Sequence, residues 1–225
     1  MIKYKILIEC VITKLFYNTL FRNKKLRNSF ETVKIPLNLI KHTNKGNKNF
    51  RFIHLKYLKI KKAGVFETIN ENEYSDISNL SEITVFSQRI NKKFKWENTD
   101  YFRLFHDQLS KNGYGLRKRK NWHEFKEIYL TKWDKIAQEI MNNGYKNQKQ
   151  LGNSLCPPKE IEVAITKTGE LIFVDGKHRF GIAKAIGLEF IPVIINVVDP
   201  RVFDLFNLDS KKTTPSDLIK TIVTI

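Results

Sequence analysis

The stretch FVDGKHRFGIAKAIGLEFIPVII, residues 173–195, sets an aspartate, a lysine, a histidine and an arginine around one glycine, between two apolar runs. Gly176 follows a buried strand and precedes a helix, and a residue without a side chain lets the backbone approach a ligand or adopt a positive φ there. The first amide hydrogens of the helix have no partners within it, and together with the helix dipole they favour an anion. Lys177 adds a point charge, His178 a switchable donor and Arg179 a planar fork. Phosphate is the anion best matched to that set. Asp175 does not bind phosphate itself; it would orient His178 or Arg179, hold a magnesium ion, or accept a proton from a substrate hydroxyl. The competing reading is a polar surface turn with no ligand.

Hydrophobic periodicity supplies the elements that must hold this turn. Glu160–Ile165 reads as a half-buried strand with Ile161, Val163 and Ile165 inward. TKTGE is a glycine turn, LIFV a short buried strand, and a helix follows to about Ile186, with Gly187 as its stop and IPVIINVV as the next strand. That order predicts an α+β unit with a small mixed sheet. Upstream, Thr99 is placed to cap a helix with Phe102, Phe105 and Leu109 on one face and Gly113 at its end. A second helix carries Trp133, Ile136, Ala137, Ile140 and Met141 on a stripe and stops at Gly144 in a left-handed conformation. FRFIHLKYLKIKK suits strands. Thr214 and Pro215 open a short final helix. Residues 67–82 are polar and acidic, and read as a loop. The expected organisation is a basic N-terminal region at 1–66, an acidic loop and lead-in at 67–95, and the α+β domain at 96–225.

The chain has 225 residues and a formal charge of +17. Residues 1–62 hold 16 Lys or Arg against Glu9 and Glu31 only, so +14 of the excess lies in the first quarter. The remainder is near neutral, and a nucleic-acid surface around the turn is not required. Cys10 and Cys156 form no disulfide or metal pattern, as in a reducing cytosol. The apolar run Ile6–Ile12 contains Glu9, which makes it too short and too charged to span a bilayer, and no cleavage site follows it. Within residues 1–30, Ile8, Ile12, Leu15, Phe16 and Leu20 have near-helical spacing. They fit either an amphipathic helix on an anionic membrane surface or, the favoured reading, a docked helix with a solvated basic face. The expected location is cytoplasmic, with peripheral membrane association if the first reading holds.

EIEVAITKTGELIFVDGKHRFGIAKAIGLEFIPVIINVV closely resembles the ParB/sulfiredoxin-like fold family over roughly residues 130–200. The shared features are the hairpin glycine Gly169, the turn Gly176–Arg179 opening a helix, the Ile191–Val193 strand, and the lead-in IMNNGYKNQ. The resemblance implies a nucleotide, ATP or CTP with Mg2+, whose phosphates are lined by Gly176, His178 and Arg179 with Lys177 alongside. Members of the family include phosphotransferases such as free serine kinases, CTP-dependent DNA clamps, and sulfiredoxin. By that likeness the chain is expected to be a nucleotide-dependent phosphotransferase or nucleotide hydrolase. Asp175, His178 and Arg179 would be its catalytic residues, and the acceptor a small molecule or protein of unknown identity. The alternatives are a non-catalytic nucleotide-sensing module docked on a membrane or polyanion, and a nucleic-acid-binding ParB relative. Sulfiredoxin chemistry needs a cysteine where this chain has Lys177, and no helix-turn-helix pattern follows the motif as in a partition protein. Trp96, Thr99 and Tyr101, as W-x-x-T-x-Y, are similar to a stretch in ParB-like proteins found among cell-surface polysaccharide functions.

Other groups have plainer readings. Glu160 and Glu162 share a side of their strand and would serve as base or metal ligand, but an exposed strand face is the expectation. His106 and His123 lack metal-ligand spacing with His178, so no metal is expected beyond magnesium carried with nucleotide. The basic run at 117–120 would meet a polyanion or a nucleotide tail, or be a solvated loop. Trp122, Phe125 and Tyr129 fit a helix core better than a stacking platform, and Lys184 is expected to face solvent.

Overall fold

Tyr101 and Phe105, one helical turn apart, are both buried, and that pairing rather than the outer Phe102 and Leu109 sets the inward face of the expected helix. The computed structural model describes residues 21, 25–44, 52–55, 58–61, 63–70, 72, 74–152 and 159–224. The expected basic amphipathic segment, from Ile8 to Leu20, and both cysteines lie outside them. The chain divides into a helical unit, Leu80–Lys146 with Lys177–Leu188, and a sheet unit made of the described residues up to Asn79, Asn147–Gly176, and those from Glu189 onward.

The helical unit holds α1 (Ser81–Ile90), α2 (Asp100–Asn112), α3 (Trp122–Phe125), a π-helical turn at Lys126–Leu130, α4 (Thr131–Asn143) and α5 (Lys177–Ile186). Helix α1 overlaps the expected acidic loop at 67–82 only at Ser81 and Glu82 and otherwise lies in the lead-in, where no helix was expected. Its sequence, SEITVFSQRI, is polar, yet Glu82, Val85 and Phe86 at i, i+3 and i+4 are all buried. Gly113 ends α2 with φ of 72°. Gly144 has φ 72° but ψ 170°, so it stops α4 without the expected left-handed geometry. On α4, Ala137 and Ile140 are buried, whereas Met141, 100° further round, is exposed. Phe86, Trp96, Phe105, Phe125, Leu130 and Ile182 fill the centre of this unit's core.

The sheet unit contains β1 (Thr32–Pro36), β2 (Ile40–Asn44), β3 (Phe52–Leu55), β4 (Leu58–Lys61), β5 (Val65–Phe66), β6 (Tyr74–Asp76), β7 (Ile161–Ile165), β8 (Leu171–Asp175) and β9 (Phe190–Val198), with helices α6 (Arg201–Leu205) and α7 (Pro215–Val223). Seven strands form one mixed sheet in the order β1-β9-β7-β8-β2-β6, with β5 beside the end of β9; β3 and β4 pair separately. The architecture is α+β. Strands from before residue 67 and from after residue 95 share this sheet, so the expected split between a basic region and a later domain does not describe it. The β7–β8 hairpin closes with Gly169 N–H donating to Thr166 O at 3.1 Å. The final helix opens as expected, with Thr214 and Asp217 forming a reciprocal cap around Pro215.

Strand β7 departs from the half-buried expectation: all five of its residues are buried. Its neighbours β8 and β9 occupy both edges, and Ala164 packs with Ile69, Ile172, Val174 and Val197 on the face opposite the one its odd-numbered residues fill. Glu160 and Glu162 are therefore buried rather than exposed. Glu162 accepts from Asn196 Nδ2 at 2.8 Å, and Glu160 accepts from the Gln148 amide. Both carboxylates are thereby hydrogen-bonded inside the sheet, as burial requires.

Helix α1 packs on α5 at Gly181. A Cβ added there would lie 2.6 Å from the Glu82 carbonyl oxygen and 2.9 Å from its carbon, closer than real contacts allow. Gly181→Ala is expected to lower unfolding stability by ~1–2 kcal/mol, overpacking outweighing alanine's advantage as a helix former. Urea denaturation measures this; an unchanged midpoint would show that the two helices part without loss.

Candidate functional site

The DGKHR residues separate at the boundary between strand and helix. Asp175 ends β8, half-buried, opposite Glu162 in the β7 register. Gly176 has φ of 92°, and a Cβ there would lie 2.9 Å from the Ile161 Cα. The glycine is thus required by backbone geometry within the sheet unit, whatever else it does. Lys177 and His178 open α5 and line a cleft of about 350 Å³ in the helical unit. Arg179 is half-buried on the same helix and is not among the groups lining that cleft.

Other groups lining the cleft include Glu82, Tyr101, Arg117 and Tyr129, from α1, α2, the turn after α2, and the π turn. The deepest is Glu82, 2% exposed. Lys177 Nζ lies 2.5 Å from Glu82 Oε1, and the Tyr101 hydroxyl donates to the same oxygen at 3.0 Å. Ser81 Oγ donates to Oε2 at 3.3 Å. Burial, the largest single influence, pushes the Glu82 carboxyl up, but the Lys177 ammonium together with His178 and the Tyr101 hydroxyl outweighs it, and the carboxyl ends below its usual range. Tyr101 is pushed up, first by burial and then by the negative Glu82 beside it, so it remains a donor.

A second network borders the first. Arg117 Nη2 donates to the Tyr129 hydroxyl at 2.7 Å, and that oxygen lies 2.7 Å from His178 Nε2. The Trp133 indole lies flat on the His178 ring, with centroids 4.3 Å apart and planes 8° from parallel. Trp133 reaches this position because Phe125, Tyr129 and Trp133 stay on one face. In a regular helix each four-residue step runs about 40° past a full turn, and the wider π turn returns that excess. Arg117 and Lys118 both have φ of 57°, unusual for residues with side chains. The basic run at 117–120 is therefore a structured turn that delivers one guanidinium to the cleft, while Arg119 pairs with Glu124 at 2.5 Å.

The W-x-x-T-x-Y residues hold this arrangement. Trp96 Nε1 donates to Asp134 at 2.8 Å, and Asp134 also accepts two hydrogen bonds from Arg89. Thr99 stands at the N-cap of α2 as expected, but its Oγ1 makes no capping bond to the helix; it turns back to donate to Trp96 O at 2.8 Å. Tyr101, stacked on Trp96, is then aimed at Glu82. Of the expected helix-core aromatics, Phe125 is fully buried, while Tyr129 presents its hydroxyl to the cleft.

Sequence patterns alone passed over Glu82 as a site residue, weighed Arg117 only within a basic run that would meet a polyanion or nucleotide tail, and placed Tyr129 in a helix core. A signal for Glu82 was present in its spacing: a carboxylate on the same helical face as Val85 and Phe86 must find a cation. His106 and His123 do not join the cleft, and among the described residues no group of three His, Cys, Asp or Glu side chains is placed to hold a metal. A separate cleft of about 490 Å³ in the sheet unit has a largely apolar border that includes Leu39, Leu205, Phe206 and Ile222. No helix among the described residues is long and apolar enough to cross a membrane.

Because Glu82 titrates below its unfolded value of about 4.3, its contribution to stability is present at neutral pH and is lost as pH falls through the folded value. Lys177→Met leaves burial opposed only by the smaller contributions of His178 and Tyr101, raises the Glu82 carboxyl, and should move acid unfolding to higher pH. The expected loss at neutral pH is ~2 kcal/mol, below that of a fully enclosed pair because the ammonium is half in water. Denaturation across pH 3–7, with Glu82→Gln as the variant lacking the charge, provides the measurement; identical acid transitions in wild type and Lys177→Met would exclude this role. No family model, curated protein or solved structure matches the chain.

Proposed function

We propose that the chain is a nucleotide-binding protein of ParB/sulfiredoxin-like kind, holding the phosphates of ATP or CTP in the cleft at the start of α5 and acting as a phosphotransferase or nucleotide hydrolase. The observation that carries this reading is the convergence of Lys177, Arg117 and two phenol hydroxyls on one cleft at the first turn of a ten-residue helix. An ammonium has three donors, so Lys177 can engage Glu82 and still offer N–H groups to a phosphate oxygen. Arg117 adds the planar fork suited to phosphate. The buried Glu82 is the carboxylate best placed to hold magnesium or to take a proton from an acceptor hydroxyl, a role the sequence assigned to Asp175. Magnesium carried with the nucleotide would supply charge neutralisation of the phosphates; the residues named here bind and orient them. Phosphoryl transfer asks chiefly for such positioning and electrostatics.

Calorimetric titration with magnesium and ATP, CTP or GTP tests the reading. Binding is expected, weakened at least about tenfold by Arg117→Met or Lys177→Met, since hydrogen bonds to charged groups contribute about 1.5–3 kcal/mol. Loss of binding in Arg179→Ala but not in Arg117→Met would move the phosphates out of the cleft, to the helix face that carries Arg179. Absence of binding by every triphosphate would sink the reading.

A further inference from the structure

The two phenols of the cleft sit in opposite settings. Tyr101 faces a carboxylate, which can only accept and so keeps the phenol protonated. Tyr129 faces a base on one side and a permanent cation on the other. A guanidinium has no acceptor, so the hydrogen bond between Arg117 and Tyr129 must run from Nη2 to the phenol oxygen. In the tautomer that carries its proton on Nδ1, His178 presents an Nε2 lone pair to the phenol proton, with the two heavy atoms 2.7 Å apart. If the proton crosses, the phenolate accepts from both Arg117 and the imidazolium, and no heavy atom has to leave its place. The Trp133 face against the His178 ring favours the charge that the imidazole gains. A hydroxyl within hydrogen-bond reach of a base, with that base held by a third group, is the arrangement of an activated nucleophile. The Arg117 contact is solvent-exposed, so the oxygen is reachable from the cleft.

We propose that Tyr129 is a nucleophile toward phosphoryl-type electrophiles, with His178 as its base and Arg117 stabilising the phenolate. The Tyr129 oxygen forms a bond to phosphorus as the bond from phosphorus to the leaving oxygen breaks. The leaving group departs with that electron pair, and the phenolic proton passes to His178 Nε2. The product is an aryl phosphate ester. A nucleoside triphosphate as the natural phosphoryl donor rests on the nucleotide reading above; the reactivity of the hydroxyl does not.

Arylsulfonyl fluorides test the reactivity without any nucleotide, since attack forms the oxygen–sulfur bond and expels fluoride. The full-length chain would be treated with benzenesulfonyl fluoride and, in parallel, with fluorosulfonylbenzoyl adenosine, and the modified residues mapped by mass spectrometry over time. Tyr129 is expected to react roughly a hundredfold faster than the other tyrosines, the scale of general-base assistance. Tyr129→Phe should abolish that product. Arg117→Met, a change at the exposed rim that leaves the core intact, should slow it at least about tenfold. Preferential modification of Tyr129 by the simple reagent, with no advantage for the adenosine reagent and no protection by magnesium ATP, would uphold the nucleophile while removing the nucleotide reading. Nucleotide binding without preferential labelling by either reagent would overturn the nucleophile. Equal rates in wild type and Arg117→Met would overturn it as well.

Discussion

The helical unit depends on one backbone approach, that of α1 to α5 at Gly181. With no Cβ at that position, the Glu82 carbonyl comes against α5 where any side chain would hold it off. Lys177 and Gly181 are four residues apart and so lie on one face of α5. The face that admits the backbone of α1 therefore also carries the ammonium that its carboxylate needs. His178 is one step round the helix, on the side of Ile182 and Ala185, and so meets the aromatic core instead. A single close contact thus decides which of two consecutive residues becomes an ion-pair partner and which becomes a buried imidazole.

Burial then makes the polar groups interdependent. An ionised carboxylate taken out of water without partners is costly enough that it would protonate instead. Glu82 stays ionised because Lys177, Tyr101 and Ser81 converge on it. Tyr101 is aimed by its stack on Trp96, and Trp96 is fixed through Asp134, which Arg89 also grips. The chain of dependence runs from a half-buried pair between α1 and α4 to a carboxylate at the bottom of a cleft. Networks of this kind hold one arrangement firmly when every member is satisfied and fail together when one is removed.

The parts legible in the sequence were those governed by period and punctuation. The order strand, turn, strand, helix, strand across Ile161–Val198 follows from alternation, from Gly169 and Gly187, and from the β-branched runs. The terminal helix follows from Thr214 and Pro215. The α+β class came out of the same patterns. What escaped was decided by tertiary contact. Helix α1 fully buries only Val85 and Phe86 among its apolar residues, with Ile90 half-buried against the same core, and its third buried residue is a glutamate, so its inward face lacks a clear apolar stripe. The burial of Glu160 and Glu162 depends on β7 having neighbours on both edges and cover on both faces, which alternation with a glutamate disguises. The site was legible at Lys177 and His178, where charge is dense in sequence. Arg117 and Tyr129 are twelve residues apart and meet only through a left-handed turn and a π turn, neither of which leaves a periodic signature.

Those two irregularities bear on what the DGKHR turn is for. Gly176 is accounted for by its closeness to Ile161, Lys177 by the Glu82 charge, and His178 by the Trp133 stack. None of these three residues needs a ligand to explain its presence. Arg117 and Tyr129 are different. Strained backbone persists only where the surroundings over-determine it. Here Arg117 and Lys118 adopt a disfavoured conformation and the helix widens at Lys126–Leu130. Both departures have the same result: a guanidinium and a phenol oxygen meet at 2.7 Å beside the imidazole. In this cleft it is therefore the meeting of Arg117 with Tyr129, more than the glycine turn, that packing leaves to be explained.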